Sequence, residues 1–277
     1  MATRPVILSI AGYDPSSGAG VTADVKTAAA LGCYAVTCIT ALTVQSTQGV
    51  FAVDSVAAAT IRETLSRLAD DFGFAAVRIG MLGTGEVAET VAEFLRKHRP
   101  KNVVLDPVLR SSSGAELIDR QGFEAIRNQL LGMAEVTTPN LKEALALADD
   151  EQEHGAAREP WDQTLLKMRK AARTLHDLGP KALVITGGDL QDANDYVSLK
   201  ENGDIAEQVL VGRRIDSKAT HGTGCAFATA IACRLARGSK VIDAVRDAKE
   251  YVRQGMLAAY PLGKGIGPMN HLYRVGE

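Results

Sequence analysis

Short apolar runs rich in Val, Ile and Thr alternate with stretches of helical periodicity along nearly the whole chain. A strand, a helix and another strand can share one sheet only through a crossover, and repeated crossovers make parallel neighbours. The alternation therefore predicts a mostly parallel sheet with helices on both faces. Strands are expected at 6–11, 34–42, 76–80, 102–105, 135–138 and 182–186, with a hairpin of 195–200 and 205–211 around Asn202-Gly203. Helices are expected at 21–31, 56–72, 86–97, 123–131, 141–148, 165–178 and 241–260. A polar segment, 43–49, follows the second strand. An acidic, aperiodic stretch, 149–160, reads as an exposed flap or equally as a variable surface loop. No internal repeat stands out, and 277 residues with 46% hydrophobic side chains suffice for one large core, so one domain over 1–277 is expected.

Several function classes drop out. The formal net charge is -2 and no basic face or tail is visible, which argues against a nucleic-acid partner. The apolar run at 6–11 is too short for a signal peptide or a membrane span, so no membrane partner is expected. Cys33, Cys38, Cys225 and Cys233 form neither a CxxC pair nor a zinc spacing, and read as reduced thiols of a cytoplasmic protein.

Chemistry in an open parallel sheet gathers at the carboxyl ends of its strands. Those ends carry Gly12, Gln45 a few residues past its strand, Gly80-Met81, Asp106-Pro107, Pro139-Asn140 and Thr186-Gly187-Gly188. Thr220-His221-Gly222-Thr223-Gly224-Cys225 then runs into an Ala-rich helix former. A glycine-rich turn opening a helix is an anion site, with free N–H groups and the positive end of the dipole. Cys225 falls in the first turn, where a thiol's pKa is lowered; the alternative is a buried cysteine packed as a small hydrophobe. A carboxylate and a neutral amide facing a phosphate cradle suggest Mg²⁺–nucleotide. Neither GxGxxG after the first strand nor GxxxxGK[ST] occurs, so a dinucleotide Rossmann domain and a P-loop enzyme are both excluded on motif grounds.

Read together, the motifs resemble a known family. The stretches 11–20 and 23–27, then 40–47, Ile79-Gly80-Met81-Leu82, Val104-Leu105-Asp106-Pro107-Val108, 137–143, 186–190, 220–225 and Gly263-Lys264-Gly265-Ile266-Gly267-Pro268 follow in order. They are similar to hydroxymethylpyrimidine/phosphomethylpyrimidine kinases of thiamine biosynthesis, members of the ribokinase-like superfamily. The resemblance implies a ribokinase-like three-layer α/β/α fold, a cytoplasmic homodimer, ATP and Mg²⁺ as cofactors, and a small pyrimidine substrate phosphorylated on its hydroxymethyl group and then on its monophosphate. It implies that Gln45 reads the aminopyrimidine while Asp24, Gly12, Ala19, Met81 and Val108 line its pocket. Asp106 and Glu143 would serve the metal, and Asn140, Thr186 and Gly188 the nucleotide. Gly222, Thr223, Gly224 and Cys225 would cradle the moving phosphoryl group, with Cys225 taking the hydroxyl proton.

Residue chemistry alone leaves other roles open: Asp24 as a helix-dipole partner, Met81 as core, Asp106 as a turn residue, His221 as structural. The chain also departs from the family pattern. Thr186 and Ser112 stand where lysines are usual, with Arg110 slightly displaced, and Tyr13, Ser17 and Thr22 replace other residues of the first loop. Fewer point charges near phosphate weaken the expectation of a second phosphorylation. They leave pyridoxine/pyridoxal kinase, or a degenerate kinase acting as a ligand-binding protein, as alternatives.

Overall fold

The computed structural model describes residues 4–111, 114–149, 159–201 and 203–275. The alternation resolves into β1 (Val6–Tyr13), α1 (Gly20–Ala30), β2 (Tyr34–Ser46), β3 (Gly49–Ser55), α2 (Ala58–Asp71), β4 (Phe74–Ile79), α3 (Gly85–His98), β5 (Val103–Leu105), α4 (Arg120–Ala125), β6 (Val136–Thr137), α5 (Leu141–Leu147), α6 (Trp161–Asp177), β7 (Ala182–Ile185), β8 (Asp195–Glu201), β9 (Asp204–Leu210), α7 (Thr223–Ala236) and α8 (Val241–Leu257). Among the described residues the strands form one sheet in the order β3-β2-β1-β4-β5-β6-β7-β8-β9. From β2 through β7 all neighbours are parallel. The three remaining pairings, β2 with β3 and β7 with β8 with β9, are antiparallel.

The pleat divides the apolar side chains between two cores. Leu8, Ile10, Val77 and Ile79 face Ile61 and Leu65 of α2, Val91 of α3, Leu145 of α5 and Met168 of α6. Ile7, Ala76, Val104 and Val184 face Ala28 of α1, Ile231 of α7 and Val245 of α8. Strands buried on both faces read as continuous apolar runs, which is why the parallel strands were visible. The three layers are thus α2–α6, the sheet, and α1 with α7 and α8.

The elements differ from expectation in two places. The segment 43–46 is not a polar loop: β2 runs on to Ser46 and turns back as β3. Its alternation, with Leu42 and Val44 exposed and Thr43 buried, is that of a ribbon beyond the helices rather than a doubly covered strand. The helix expected at 123–131 is α-helical only through Ala125 and continues as a π turn, Ile126–Leu130, and a 3₁₀ turn, Leu131–Met133. Of the proposed flap at 149–160, residues 150–158 lie outside the described residues, as do Ser112 and the hairpin's Asn202.

Candidate active site

The chain leaves β1 toward β2 on one side and returns through β4 on the other. The crevice beyond the carboxyl ends of β1 and β4 is therefore the sheet's switch point, where such folds bind ligands. Gly12 at the end of β1 lies against the backbone of Gly20, and a Cβ on Gly12 would come within 2.9 Å of Met81 Sδ. Met81 belongs to a small apolar cluster with Ala41 and Leu117, bordered by Val50, Val53 and Val108 and separate from both cores. Gly12, Met81 and Val108, three of the expected lining residues, thus share one wall.

A bulge at Phe51 of β3 interrupts the ladder opposite Val44 and Gln45, while Gln45 keeps the alternation of β2 and stands on the side of Thr43. Its amide lies 3.2 Å (Nε2) from His221 Nε2 and 3.0 Å (Oε1) from Thr43 Oγ1. His221 Nε2 lies 2.8 Å from Asp14 Oδ2, which also accepts the backbone N–H groups of Gly18 at 3.0 Å and Ala19 at 2.9 Å. Burial works upward on the Asp14 carboxyl, but hydrogen bonds from His221, Ser16 and Ala19 outweigh it and hold it down at about 2.

Asp24 is placed differently from expectation. It is fully buried, with Oδ2 accepting Ser9 Oγ at 2.6 Å, Oδ1 accepting Thr229 Oγ1 at 2.7 Å, and Arg78 Nη1 3.2 Å away. A carboxylate engaged on both oxygens and closed to solvent does not line a pocket; it anchors Arg78. The same guanidinium, itself fully buried, donates from Nη2 to Asp106 Oδ2 at 2.7 Å. Gly80 leaves the room for it, since a Cβ there would meet Arg78 Nη1 and come within 2.7 Å of Cζ. One cation between two carboxylates leaves a net negative charge in a dry place. Burial pushes Asp106 up to about 6, with Asp24 adding to the push against the pull of Arg78.

A turn opens α7 where the glycines stand, but the two do different work. Gly222 is the residue before α7, with φ 75°, and a Cβ on it would strike the carbonyl oxygen of Gly18. Gly224 is exposed, and a Cβ there meets nothing within 4 Å. Gly224 and Cys225 stand in the first turn, where backbone N–H groups have no intrahelical acceptor. Thr223 bonds back to Thr220 O at 3.0 Å. The lowered thiol is corrected: burial pushes Cys225 up to about 11, Asp106 and Asp24 push further, and Arg78 only partly offsets them. Desolvation outweighs the helix terminus here.

On the other flank, Asn140 and Glu143 form a capping box at the start of α5. Glu143 Oε2 accepts Asn140 N at 2.9 Å and Oε1 accepts Leu109 N at 3.3 Å, while Asn140 Oδ1 accepts Glu143 N at 2.9 Å. Burial, with the charge of Asp106 behind it, pushes Glu143 up to about 8. Thr186 bridges Asn140 in parallel fashion, and its N–H donates to Pro139 O at 2.9 Å. Gly187 N donates to Asp195 Oδ1 at 2.9 Å, and Lys249 Nζ reaches Asp195 Oδ2 at 2.7 Å, tying α8 to the turn that carries Gly188. Among the described residues no three His, Cys, Asp or Glu side chains could hold a metal by themselves. The raised Asp106 and Glu143 instead suit a divalent cation that takes its other ligands from phosphate and water.

Arg78, Asp14 and the Asp195–Lys249 pair were not singled out from sequence. Arg78 alone left a signal there, a single charge inside the otherwise apolar run 74–79.

Comparison with known proteins follows the same lines. The family model described as phosphomethylpyrimidine kinase matches residues 14–270. A Streptomyces coelicolor protein named hydroxymethylpyrimidine/phosphomethylpyrimidine kinase is 40% identical over 279 residues, covering 99% of this chain and 97% of its own. Bacillus subtilis pyridoxal kinase, solved as an ADP complex, superposes with a TM-score of 0.84 at 32% identity, over 99% of this chain and 100% of that one. A phosphomethylpyrimidine kinase from Clostridium difficile superposes with a TM-score of 0.76 at 32% identity, over 91% and 99% of the two chains.

Proposed function

The chain belongs to the phosphomethylpyrimidine kinase family, and on that footing we propose that it transfers the γ-phosphoryl group of ATP to the hydroxymethyl oxygen of 4-amino-5-hydroxymethyl-2-methylpyrimidine and then phosphorylates the monophosphate. The observation that carries this reading is convergence at the β1/β4 crevice. An apolar wall with one polar amide (Gly12, Met81, Val108, Gln45) and a helix N-terminus with a thiol (Gly222 to Cys225) are joined there, through buried Arg78, to a carboxylate whose pKa is raised, Asp106.

In this reading Met81 and Val108 flank the ring and Gln45 reads its amino edge by paired donor and acceptor. The amides of Gly222 to Cys225 stabilise charge on the moving phosphoryl group, the main protein contribution to such transfers. Asn140, Thr186 and Gly188 border the nucleotide. Mg²⁺, held on the Asp106 and Glu143 side, would neutralise phosphate charge and also offset the Asp106 charge that helps keep the Cys225 thiol up. Cys225 must lose its own proton before it can accept the one from the hydroxyl, so its loss should lower turnover more than substrate binding.

Likeness to solved pyridoxal kinases keeps the pyridoxine/pyridoxal ring as the second reading. For the second phosphorylation the side-chain cations are sparse: Arg110 is paired with Glu116 at 2.9 Å on the surface, and Lys26 Nζ donates to Ser17 O at 2.7 Å beside the Asp14 loop. ATP turnover on the pyrimidine alcohol, its monophosphate and pyridoxal, for wild type and Cys225→Ala, tests the proposal. Pyrimidine turnover that falls by about 10²-fold or more in the variant is expected. Turnover on pyridoxal alone moves the substrate to the second reading, and ligand binding without turnover on any of the three points to a degenerate kinase.

A further inference from the structure

Asp14 can only accept hydrogen bonds while it is ionised, and its surroundings keep it so. Oδ1 takes Ser16 N at 2.8 Å and Ser16 Oγ at 2.7 Å, and Oδ2 takes Gly18 N at 3.0 Å and Ala19 N at 2.9 Å. The third group at Oδ2, His221 Nε2 at 2.8 Å, must therefore carry a hydrogen. That same nitrogen is 3.2 Å from the Gln45 amide. If the amide turned its NH₂ toward His221, two donors would face each other. At the other end, the Thr43 hydroxyl lies 3.0 Å from Tyr13 O and 3.0 Å from the Gln45 amide, with one hydrogen to give. If the amide turned its oxygen toward Thr43, that hydrogen would be needed twice. Turned over, the amide meets both neighbours with the right sign, and the two ends of an amide are told apart only by their partners. Oε1 then shares the His221 Nε2–H with Asp14 Oδ2 in a three-centre bond, the longer arm at 3.2 Å and the shorter at 2.8 Å, and Nε2 donates to Thr43 Oγ1, which donates to Tyr13 O.

Resting on the pyrimidine reading above, we propose that Asp14–His221 on one side and Thr43 on the other are positioning residues that hold the Gln45 amide in this one orientation and so decide which ring edge, and which way round, the site accepts. Pinned this way, the amide has one free lone pair on the His221 side and one free N–H on the Thr43 side. A ring with an amino group beside a ring nitrogen fits it with the amino group toward His221. A hydroxymethyl group on the carbon next to the amino-bearing one then projects past the amino group, toward the turn that His221 opens, Gly222 to Cys225. The reversed amide would send it the other way. A 4-oxo ring, whose edge pairs an acceptor oxygen with an N–H, meets a donor opposite a donor and an acceptor opposite an acceptor, and is refused.

The test is the ratio of kcat/KM for the 4-amino to the 4-oxo 5-hydroxymethyl-2-methylpyrimidine, in wild type, His221→Phe, Thr43→Val and Thr43→Ser. A site built on pinned hydrogen bonds should favour the amino ring by about 10²-fold or more. With either pin removed the amide can turn over to suit the oxo ring, so the ratio should fall at least about tenfold in His221→Phe and Thr43→Val, as one neutral hydrogen bond is worth. Thr43→Ser, which keeps the hydroxyl, should restore it. General damage to the fold lowers both substrates alike and leaves the ratio in place. Should His221→Phe fail to fold, the two Thr43 variants on β2 decide the matter. An unchanged ratio in a folded Thr43→Val overturns the proposal while leaving the kinase reading intact. Wild-type turnover of neither pyrimidine overturns both.

Discussion

A single carboxylate, Asp14, ties together more of the site than any other residue: it closes its own loop through Ser16, Gly18 and Ala19 and reaches across the crevice to His221. Its pKa is lowered from 3.8 to about 2. A group whose folded pKa is depressed adds stability above its unfolded pKa and loses it as pH falls through the folded one, so this contribution is full above about pH 4 and gone near pH 2. A drop of about two units corresponds to about 2–3 kcal/mol. Asp14→Asn should therefore unfold at lower urea than wild type at pH 7, with the two curves converging as pH approaches 2. A gap that stays constant over that range would mean that Asp14 contributes through shape rather than charge. Much of this scale could be read from the chain, because glycine, asparagine and aspartate at strand ends announce where a parallel sheet keeps its chemistry. The burial of Asp24 could not. Its partners Ser9, Arg78 and Thr229 come from three separate elements, and nothing local distinguishes an acid that meets a buried arginine from one that meets a ligand.

At the scale of elements, α7 shows why a motif must be resolved residue by residue. Both glycines of Gly222-Thr223-Gly224 were read as openings for an anion, yet only Gly222 is required by the backbone, in the left-handed region and pressed on Gly18. Gly222→Ala should cost about 1–3 kcal/mol for the conformation alone, with more from the contact. Gly224→Ala, inside the first turn with open space around its Cβ, should be neutral or stabilising by up to about 1 kcal/mol. Thermal melts of the two variants check this. If Gly224→Ala melts normally but loses ATP turnover, the space above residue 224 is used by the phosphoryl group. If it keeps full turnover, only the amides matter. The helix itself was legible because Ala-rich sequence after a glycine turn has few other uses. The β2–β3 ribbon was not, because past Leu42 the strand leaves the shelter of the helices and its apolar residues alternate with Thr43 and Gln45. The bulge at Phe51 of β3 leaves no sequence signature at all.

On the scale of the whole molecule, the two edges of the sheet are unlike. β9 exposes Asp204, Glu207 and Gln208, with Glu207 paired to Arg169 at 2.8 Å, the charged dressing that keeps an edge from pairing with another chain. β3 reads Gly-Val-Phe-Ala-Val-Asp-Ser, with Phe51 69% exposed, and beside it Leu42 and Val44 of β2 are 49% and 56% exposed. An apolar ribbon at an unprotected edge is the part of this surface best suited to a second copy of the chain, in keeping with the homodimer that the family resemblance implies. The ribbon also carries Gln45, so association would stiffen the strand that bears the proposed ring-reading amide. Light scattering after size exclusion should return about twice the 29.3 kDa chain mass for wild type. Val44→Lys, whose side chain points away from Thr43 and the crevice, should shift the population to monomer. KM for the pyrimidine should rise in that variant, and its melting temperature should no longer rise with protein concentration as a dimer's does. A wild type that runs as a monomer at micromolar concentration would remove the dimer, and would leave the exposed ribbon a free flank of the site.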